Sequence, residues 1–169
     1  SPVGYWWAYV DANDGEVLVR TNHAAAFNIP TTVKSDVQLN YAADPFTELT
    51  SPDHSLQVNG QNSYTDADGF VNLSVPTANP YQVNSWIRGR YCRTQRYSGE
   101  GADANWTDTG TPGTPLLVKW DDSNSLPSER DAYYSVNRVH RWLKDHDPIF
   151  TSLDFPLTTV VNRTNGTCN

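Results

Sequence analysis

The spacing of apolar residues near the end of the chain predicts one amphipathic helix. Apolar side chains recur there at intervals of four, three and four residues, which places them on one helical face. Ser128 is the expected N-cap, and Pro148 ends the helix because proline cannot continue it. We expect this face to contact a partner through Ala132, Tyr133, Val136, Val139 and Leu143.

Elsewhere, alternating apolar and polar residues predict strands. The sequence Asn-Asp-Gly lies between two apolar runs and predicts a hairpin over Trp6–Arg20. We interpret residues 23–52 as an irregular linker and residues 99–115 as a long loop, since both are rich in turn-forming residues. The predicted fold is α+β and mostly β, an antiparallel sheet or small sandwich with one main helix near the C-terminus. Further strand segments are a hairpin-like region at 56–75, then 83–97, 116–120 and 155–161.

Composition favours an extracellular protein. Charged residues make up only 18% of the 169 residues, whereas aromatic residues make up 12%. The net charge of −7 argues against a nucleic-acid partner, because phosphate binding needs clustered Lys and Arg. No apolar run is long enough to span a membrane. The chain begins with Ser1 and contains no Met, so we expect a processed product or a proteolytic fragment.

Two cysteines, Cys92 and Cys168, allow one disulfide bond. In a secreted protein an even number of cysteines favours pairing. The alternative is that Cys168 pairs with a cysteine outside this sequence. We expect both thiols to be oxidised.

Candidate catalytic and metal-binding motifs are weak in this sequence. The histidines are His23, His54, His140 and His146, and their spacing does not suit a shared zinc ion. We interpret His140 as a helix residue that packs or hydrogen bonds. The turns at 11–14 and 66–68 contain aspartates that could bind calcium, although Asp and Asn before Gly are normal turn chemistry. We therefore predict no catalytic, cofactor-binding or metal-binding residue in this chain.

The aromatic residues have two interpretations, a sugar-binding platform or a core. Trp7, Trp86 and Trp120 lie in apolar strand patterns, so we expect them to be buried. Trp106 lies in the Gly/Thr loop and is the exposed candidate.

An ordered series of segments runs through the second half of the chain within residues 101–157. The segments are GADANW, GTPGTPL, WDDSNSLPSERDAYY, VNRVHRWLK and LDFPL. This series resembles bacterial fungalysin-related and thermolysin-like zinc metallopeptidases, and the closing Thr-Cys-Asn resembles the segment before their zinc-binding helix. The first hairpin also resembles the end of the PepSY-type propeptide domain found ahead of such peptidases.

This resemblance implies a secreted protein whose active site lies elsewhere, because the sequence has no H-E-x-x-H zinc motif. It implies a propeptide end and linker at 1–40, a β-rich unit at 41–120, and the first helix and strand of a catalytic domain at 121–169. Zinc, with calcium as an additional ion, would then belong to the parent enzyme. We expect a non-catalytic scaffold, folding aid or inhibitor that contacts the remaining catalytic domain or a second chain. The alternative is an extracellular β-sandwich that binds glycans or cell-surface ligands.

Overall fold

The computed structural model describes residues 6–22, 27–97 and 101–163. Within these ranges the chain is mostly β with one helix near the C-terminus, which confirms the predicted fold class. The elements are β1 (Trp6–Val10), β2 (Val17–Asn22), β3 (Phe27–Val37), β4 (Thr47–Thr50), β5 (His54–Val58), β6 (Gln61–Tyr64), β7 (Phe70–Val75), β8 (Tyr81–Gly89), β9 (Cys92–Arg96), β10 (Asn105–Gly110), β11 (Leu116–Trp120), α1 (Pro127–His146) and β12 (Leu157–Val161).

Strands β3 to β12 form two sheets. The first has the order β12-β9-β8-β5-β6, with β10 also paired to β8. The second has the order β11-β3-β4, with β7 also paired to β3. Pairing is mixed, because β11 runs parallel to β3 and β12 runs parallel to β9.

The two sheets share one hydrophobic core. Strands β3, β7 and β11 supply side chains from the second sheet, and β5 and β8 supply them from the first. Contact between the two sets makes this a small sandwich. Tyr133 of α1 is buried in the same core, so the helix is part of the unit. The fully buried core side chains are Ile29, Val33, Leu56, Leu73, Val83, Cys92, Val118 and Trp120.

The linker prediction is wrong for residues 27–37, which form the longest described strand. Buried and partly buried positions alternate along β3 from Ile29 to Val37, as in a strand with one face on the core. Two of the inward positions, Thr31 and Ser35, are polar, which hides the alternation in the sequence. The Thr31 hydroxyl donates to the Ile29 carbonyl, and the Ser35 hydroxyl pairs with that of Ser51.

Two other strand predictions need correction. Part of the predicted 99–115 loop is β10, which pairs with β8 from Asn105 to Gly110. The hairpin predicted within 56–75 turns at Asn59 and Gly60, both with positive φ, and joins β5 to β6. Asn-Gly is the preferred pair for a two-residue turn of this kind. The Asp66–Gly69 turn instead leads from β6 in one sheet to β7 in the other.

The first hairpin is confirmed, since β1 pairs with β2 in antiparallel register. Asp11 closes its turn through hydrogen bonds from the backbone of Asn13 and Gly15. Large apolar side chains on both of its strands remain exposed, each by about half or more. They are Tyr9, Val10, Val17, Leu18 and Val19.

Candidate functional site

The start of helix α1 is fixed by a buried carboxylate. The helix N-cap is Leu126 and not the predicted Ser128, because Pro127 occupies the first helical position. Glu129 is fully buried, and its carboxylate accepts a hydrogen bond from the Leu126 backbone N–H at 2.8 Å. The same carboxylate accepts two bonds from Arg96 of β9 and one from the Ala104 backbone. Four donors therefore satisfy this buried charge and tie α1 to the first sheet.

The next two residues tie α1 to the second sheet. Arg130 is 1% exposed and donates to the Asp36 carbonyl, to Ser125 and to the Asp122 carboxylate. Asp131 accepts a hydrogen bond from the Gln38 backbone at 2.8 Å. The Ser-Glu-Arg-Asp segment is thus a structural clamp in this fold, and sequence reasoning treated it only as a helix start.

Helix α1 faces the core with a largely polar stripe. Its buried residues are Glu129, Arg130, Tyr133, Asn137 and His140. The Tyr133 hydroxyl donates to the Pro52 carbonyl at 2.9 Å. A Cβ at position 89 would clash with this hydroxyl and with the Asp53 carbonyl, so Gly89 is required there. The predicted apolar face meets the core only at one edge, through Tyr133 and Val136, because the clamp sets the rotation of the helix.

The residues predicted to face a partner therefore divide into three groups by exposure. Tyr133 is buried in the core of this chain, whereas Val139 is 57% exposed. Ala132, Val136 and Leu143 are partly buried. The apolar stripe predicted from the sequence is left at the side of the helix, and its contact with a partner stays a prediction.

An apolar groove lies beside this stripe, between α1 and β12. It has a volume of about 230 Å³ and is lined by Tyr91, Ser135, Val136, Val139, His140, Leu153 and Leu157. The segment that joins α1 to β12 also exposes Ile149, at 87%, and Phe155, at 49%. We call the exposed Val139, Ile149 and Phe155, on α1 and on the segment that follows it, the apolar patch. Exposed apolar surface of this kind often marks an interaction site.

One polar cluster borders the apolar groove. The ring of His140 stacks on that of Tyr91 at 3.5 Å, and its Nε2 lies 2.8 Å from Asp154 Oδ1. Lys144 donates to the other oxygen of Asp154 at 2.7 Å. Hydrogen bonds from Lys144 and His140 lower the pKa of Asp154. The cluster positions the segment between α1 and β12, in agreement with the packing role predicted for His140.

A second groove lies on the other side of α1. It has a volume of about 430 Å³ and lies between the helix and the β3–β4 edge. Its walls combine apolar residues such as Leu49, Pro52 and Trp142 with the exposed Arg138 and Arg141. We call it the arginine groove.

His54 is a histidine whose burial was not predicted from the sequence. It is 0% exposed, and its Nε2 lies 3.0 Å from the Ser85 hydroxyl and 3.3 Å from Trp120 Nε1. Burial, with a smaller effect of Arg88, lowers its pKa to about 3. A Ser–His contact in this setting has no access for a substrate, so we assign it to the core. The one signal in the sequence for this burial was the position of His54 directly before the other apolar and polar residues of β5.

Metal chemistry has little support in the described ranges. They contain no group of three or more His, Cys, Asp or Glu side chains that could hold a metal ion. The two aspartate-rich turns are closed by their own hydrogen bonds: Asp66 Oδ1 accepts from the backbone of Asp68 and Phe70. His23 lies outside the described residues.

The disulfide prediction falls partly outside the described residues. Cys168 is not among them, and no disulfide is formed within 6–22, 27–97 and 101–163. Cys92 is buried in the core, 3.8 Å from the Thr159 hydroxyl. Burial raises the pKa of its thiol to about 11. A bridge between Cys92 and Cys168 stays a prediction.

The tryptophans do not follow the predicted division. Trp120 is fully buried as expected, and Trp86 is partly buried beneath the Arg88 guanidinium. Trp106, predicted to be exposed, is partly buried against the core because it lies on β10. Trp142 is 56% exposed and stacks on His146 at 4.2 Å.

Comparisons with protein-family models, with curated proteins and with solved structures gave no match to this chain. Among the described residues no helix has the length and apolar character needed to cross a membrane.

Proposed function

We propose that this chain is a non-catalytic part of a secreted zinc metallopeptidase, and that it docks onto the catalytic part through the apolar groove. The observation that carries the proposal is the apolar patch of Val139, Ile149 and Phe155, in which Val139 lines the apolar groove. The patch lies on α1 and on the segment between α1 and β12, whose sequences resemble the opening of a metallopeptidase catalytic domain.

The clamp explains why the patch is available. Glu129, Arg130 and Asp131 hold α1 against both sheets through polar contacts, so the apolar stripe is not needed to attach the helix. Covering a large apolar side chain contributes roughly 1.5–3 kcal/mol. Docking onto a further domain would gain most of this for Ile149 and about half of it for Val139 and Phe155, in line with their exposure, without disturbing the sandwich.

The first hairpin supports the same proposal. Adjacent strand residues point to opposite faces of a sheet. Tyr9 and Val10 are both exposed by more than half, as are Leu18 and Val19, so both faces of the hairpin carry uncovered apolar side chains. An isolated hairpin is marginally stable in water, and the rest of a PepSY-like domain would pair with its edges and cover its apolar faces. Its role would be that of a scaffold, folding aid or inhibitor.

The alternative of a glycan-binding sandwich has weaker support. A sugar platform needs neighbouring exposed aromatic rings on one face. The strongly exposed aromatic side chains of the described residues lie on separate segments, with Tyr9 on β1, Tyr41 between β3 and β4, and Trp142 on α1.

Zinc analysis and casein digestion test the proposal. We expect this chain alone to bind no stoichiometric zinc and to cleave no casein, because the described residues offer no ligand set. The protein expressed from the complete gene should contain zinc and show cleavage that a chelator abolishes. Chelator-sensitive cleavage by this chain alone, or a complete protein without zinc, would contradict the proposal.

A further inference from the structure

The arginine groove has the size and composition of a small-ligand site. Its volume of about 430 Å³ lies in the range of roughly 300–1,000 Å³ common for ligand pockets. Apolar side chains from the β3–β4 edge and from α1 form its walls. They are Val37, Leu49, Pro52, Ala67, Tyr134 and Trp142.

Two arginines in this groove form no ion pair among the described residues. They are Arg138 and Arg141, whereas Arg96 and Arg130 are paired with Glu129 and Asp122. Arg141 lies near Asp53, since its positive charge partly offsets the rise that burial causes in the pKa of that carboxyl. Asp145 is the acidic residue that lines the groove. A guanidinium offers five donors and no acceptor, and its planar fork fits a carboxylate. Two such groups in a protein of net charge −7 favour an anionic ligand.

Asn137 adds an unpaired acceptor. It lines the groove, is 5% exposed, and donates through Nδ2 to the Tyr133 carbonyl at 2.8 Å. This bond fixes the orientation of the amide, so Oδ1 is the acceptor, and it has no hydrogen-bond partner among the described residues. A buried acceptor without a partner costs about 1–3 kcal/mol. A ligand that brings an N–H group into the groove would relieve this cost.

We propose that the arginine groove binds the carboxyl terminus of a peptide whose last side chain is apolar. The terminal carboxylate pairs with Arg138 and Arg141, and the last amide N–H donates to Asn137 Oδ1. The apolar side chain packs against the Leu49, Pro52 and Trp142 wall. This inference is independent of the proposed metallopeptidase, because the groove lies on the other side of α1 from the apolar groove.

Binding of two matched dipeptides to the isolated chain tests the proposal. The probes are N-acetyl-Leu-Phe with a free carboxylate and the same peptide as its C-terminal amide, titrated by calorimetry and by amide chemical shifts. We expect saturable binding of the acid, with affinity roughly tenfold or more above that of the amide, since a charged hydrogen-bonded pair is lost. Shift changes should centre on residues that line the groove.

Three variants locate the site. Arg138→Gln combined with Arg141→Gln should weaken acid binding by about tenfold or more and leave the amide unaffected. Arg93→Gln, an exposed arginine on β9 that does not line the groove, is the matched control and should bind like the original chain. Asn137→Leu should weaken both peptides, because both carry the last N–H. Circular dichroism checks that each variant is folded.

Several results would overturn the inference. One is the absence of saturable binding by the acid at any accessible concentration. Others are equal affinities for the acid and the amide, or a double arginine variant that binds as tightly as Arg93→Gln. Shift changes confined to the apolar groove would also overturn it.

Discussion

Acidification should destabilise this fold strongly through His54. The imidazole is fully buried, and the Trp120 indole N–H donates to its Nε2. Because indole nitrogen only donates, Nε2 must be an acceptor, and the ring proton therefore lies on Nδ1. Nδ1 has no partner among the described residues. A second proton would have to enter at Nε2, which would break the bond to Trp120 and place a charge in the core.

The magnitude follows from the difference in pKa between the two states. Burial lowers the pKa of His54 from 6.5 to about 3 in the folded chain. Between these values the unfolded chain binds more protons, so the free energy of unfolding rises with pH. The contribution is fully present above pH 6.5 and is lost as the pH falls towards 3. From pH 7 to pH 4 the loss is about 3 kcal/mol, at about 1.4 kcal/mol for each pH unit.

Urea unfolding followed by tryptophan fluorescence measures this loss at several pH values between 7 and 4. His54→Gln is the matched control, because glutamine cannot titrate and the other ionisable groups stay the same. We expect the original chain to lose about 3 kcal/mol more than the variant over this range. Equal losses in the two proteins would refute the assignment of a buried neutral histidine.

Two further predictions concern the clamp and the buried thiol. Glu129→Gln should lower the free energy of unfolding by about 3–5 kcal/mol. It removes the carboxylate charge that pairs with Arg96 and places an amide N–H group against the donors of Arg96 and Leu126. The control Glu48→Gln breaks partly exposed ion pairs with Lys34 and Lys119 and should cost far less, so equal costs would argue against the clamp. In the reduced chain, Cys92 should react with iodoacetamide at pH 8 only after unfolding, because its pKa is raised to about 11. Fast labelling of the Cys92 peptide in the folded chain, read by mass spectrometry, would contradict its burial.

The sequence predicted those elements whose apolar residues are periodic. The first hairpin, β11 and β12 were found because alternation and turn residues agreed. The strand β3 was missed because the polar Thr31 and Ser35 occupy inward positions. Their hydroxyls are hydrogen bonded there, to the Ile29 carbonyl and to the Ser51 hydroxyl. A pattern read from hydrophobicity alone cannot show that a buried polar side chain has a partner.

The rotation of helix α1 was also outside the reach of the sequence pattern. Apolar periodicity predicted a face at Val136 and Val139, of which only Val136 packs against the core, whereas the polar Glu129, Arg130 and Asn137 are buried. Their hydrogen-bond partners make this possible. Arg96 and Asp36 lie far from the helix in sequence, and Asp122 lies in the turn before it. The arginine groove depends on the same long-range packing, because one wall comes from residues 49–52.

Photo-crosslinking in the complete protein tests most directly whether the apolar groove docks onto a catalytic part. A benzophenone side chain at position 139 is compared with one at position 117, because Val139 and Leu117 are similarly exposed, at 57% and 52%. We expect position 139 to cross-link to peptides of a zinc-binding catalytic part outside residues 1–169, and position 117 not to do so. Cross-links from position 139 that remain within residues 1–169, or that match those from position 117, would contradict the proposed docking.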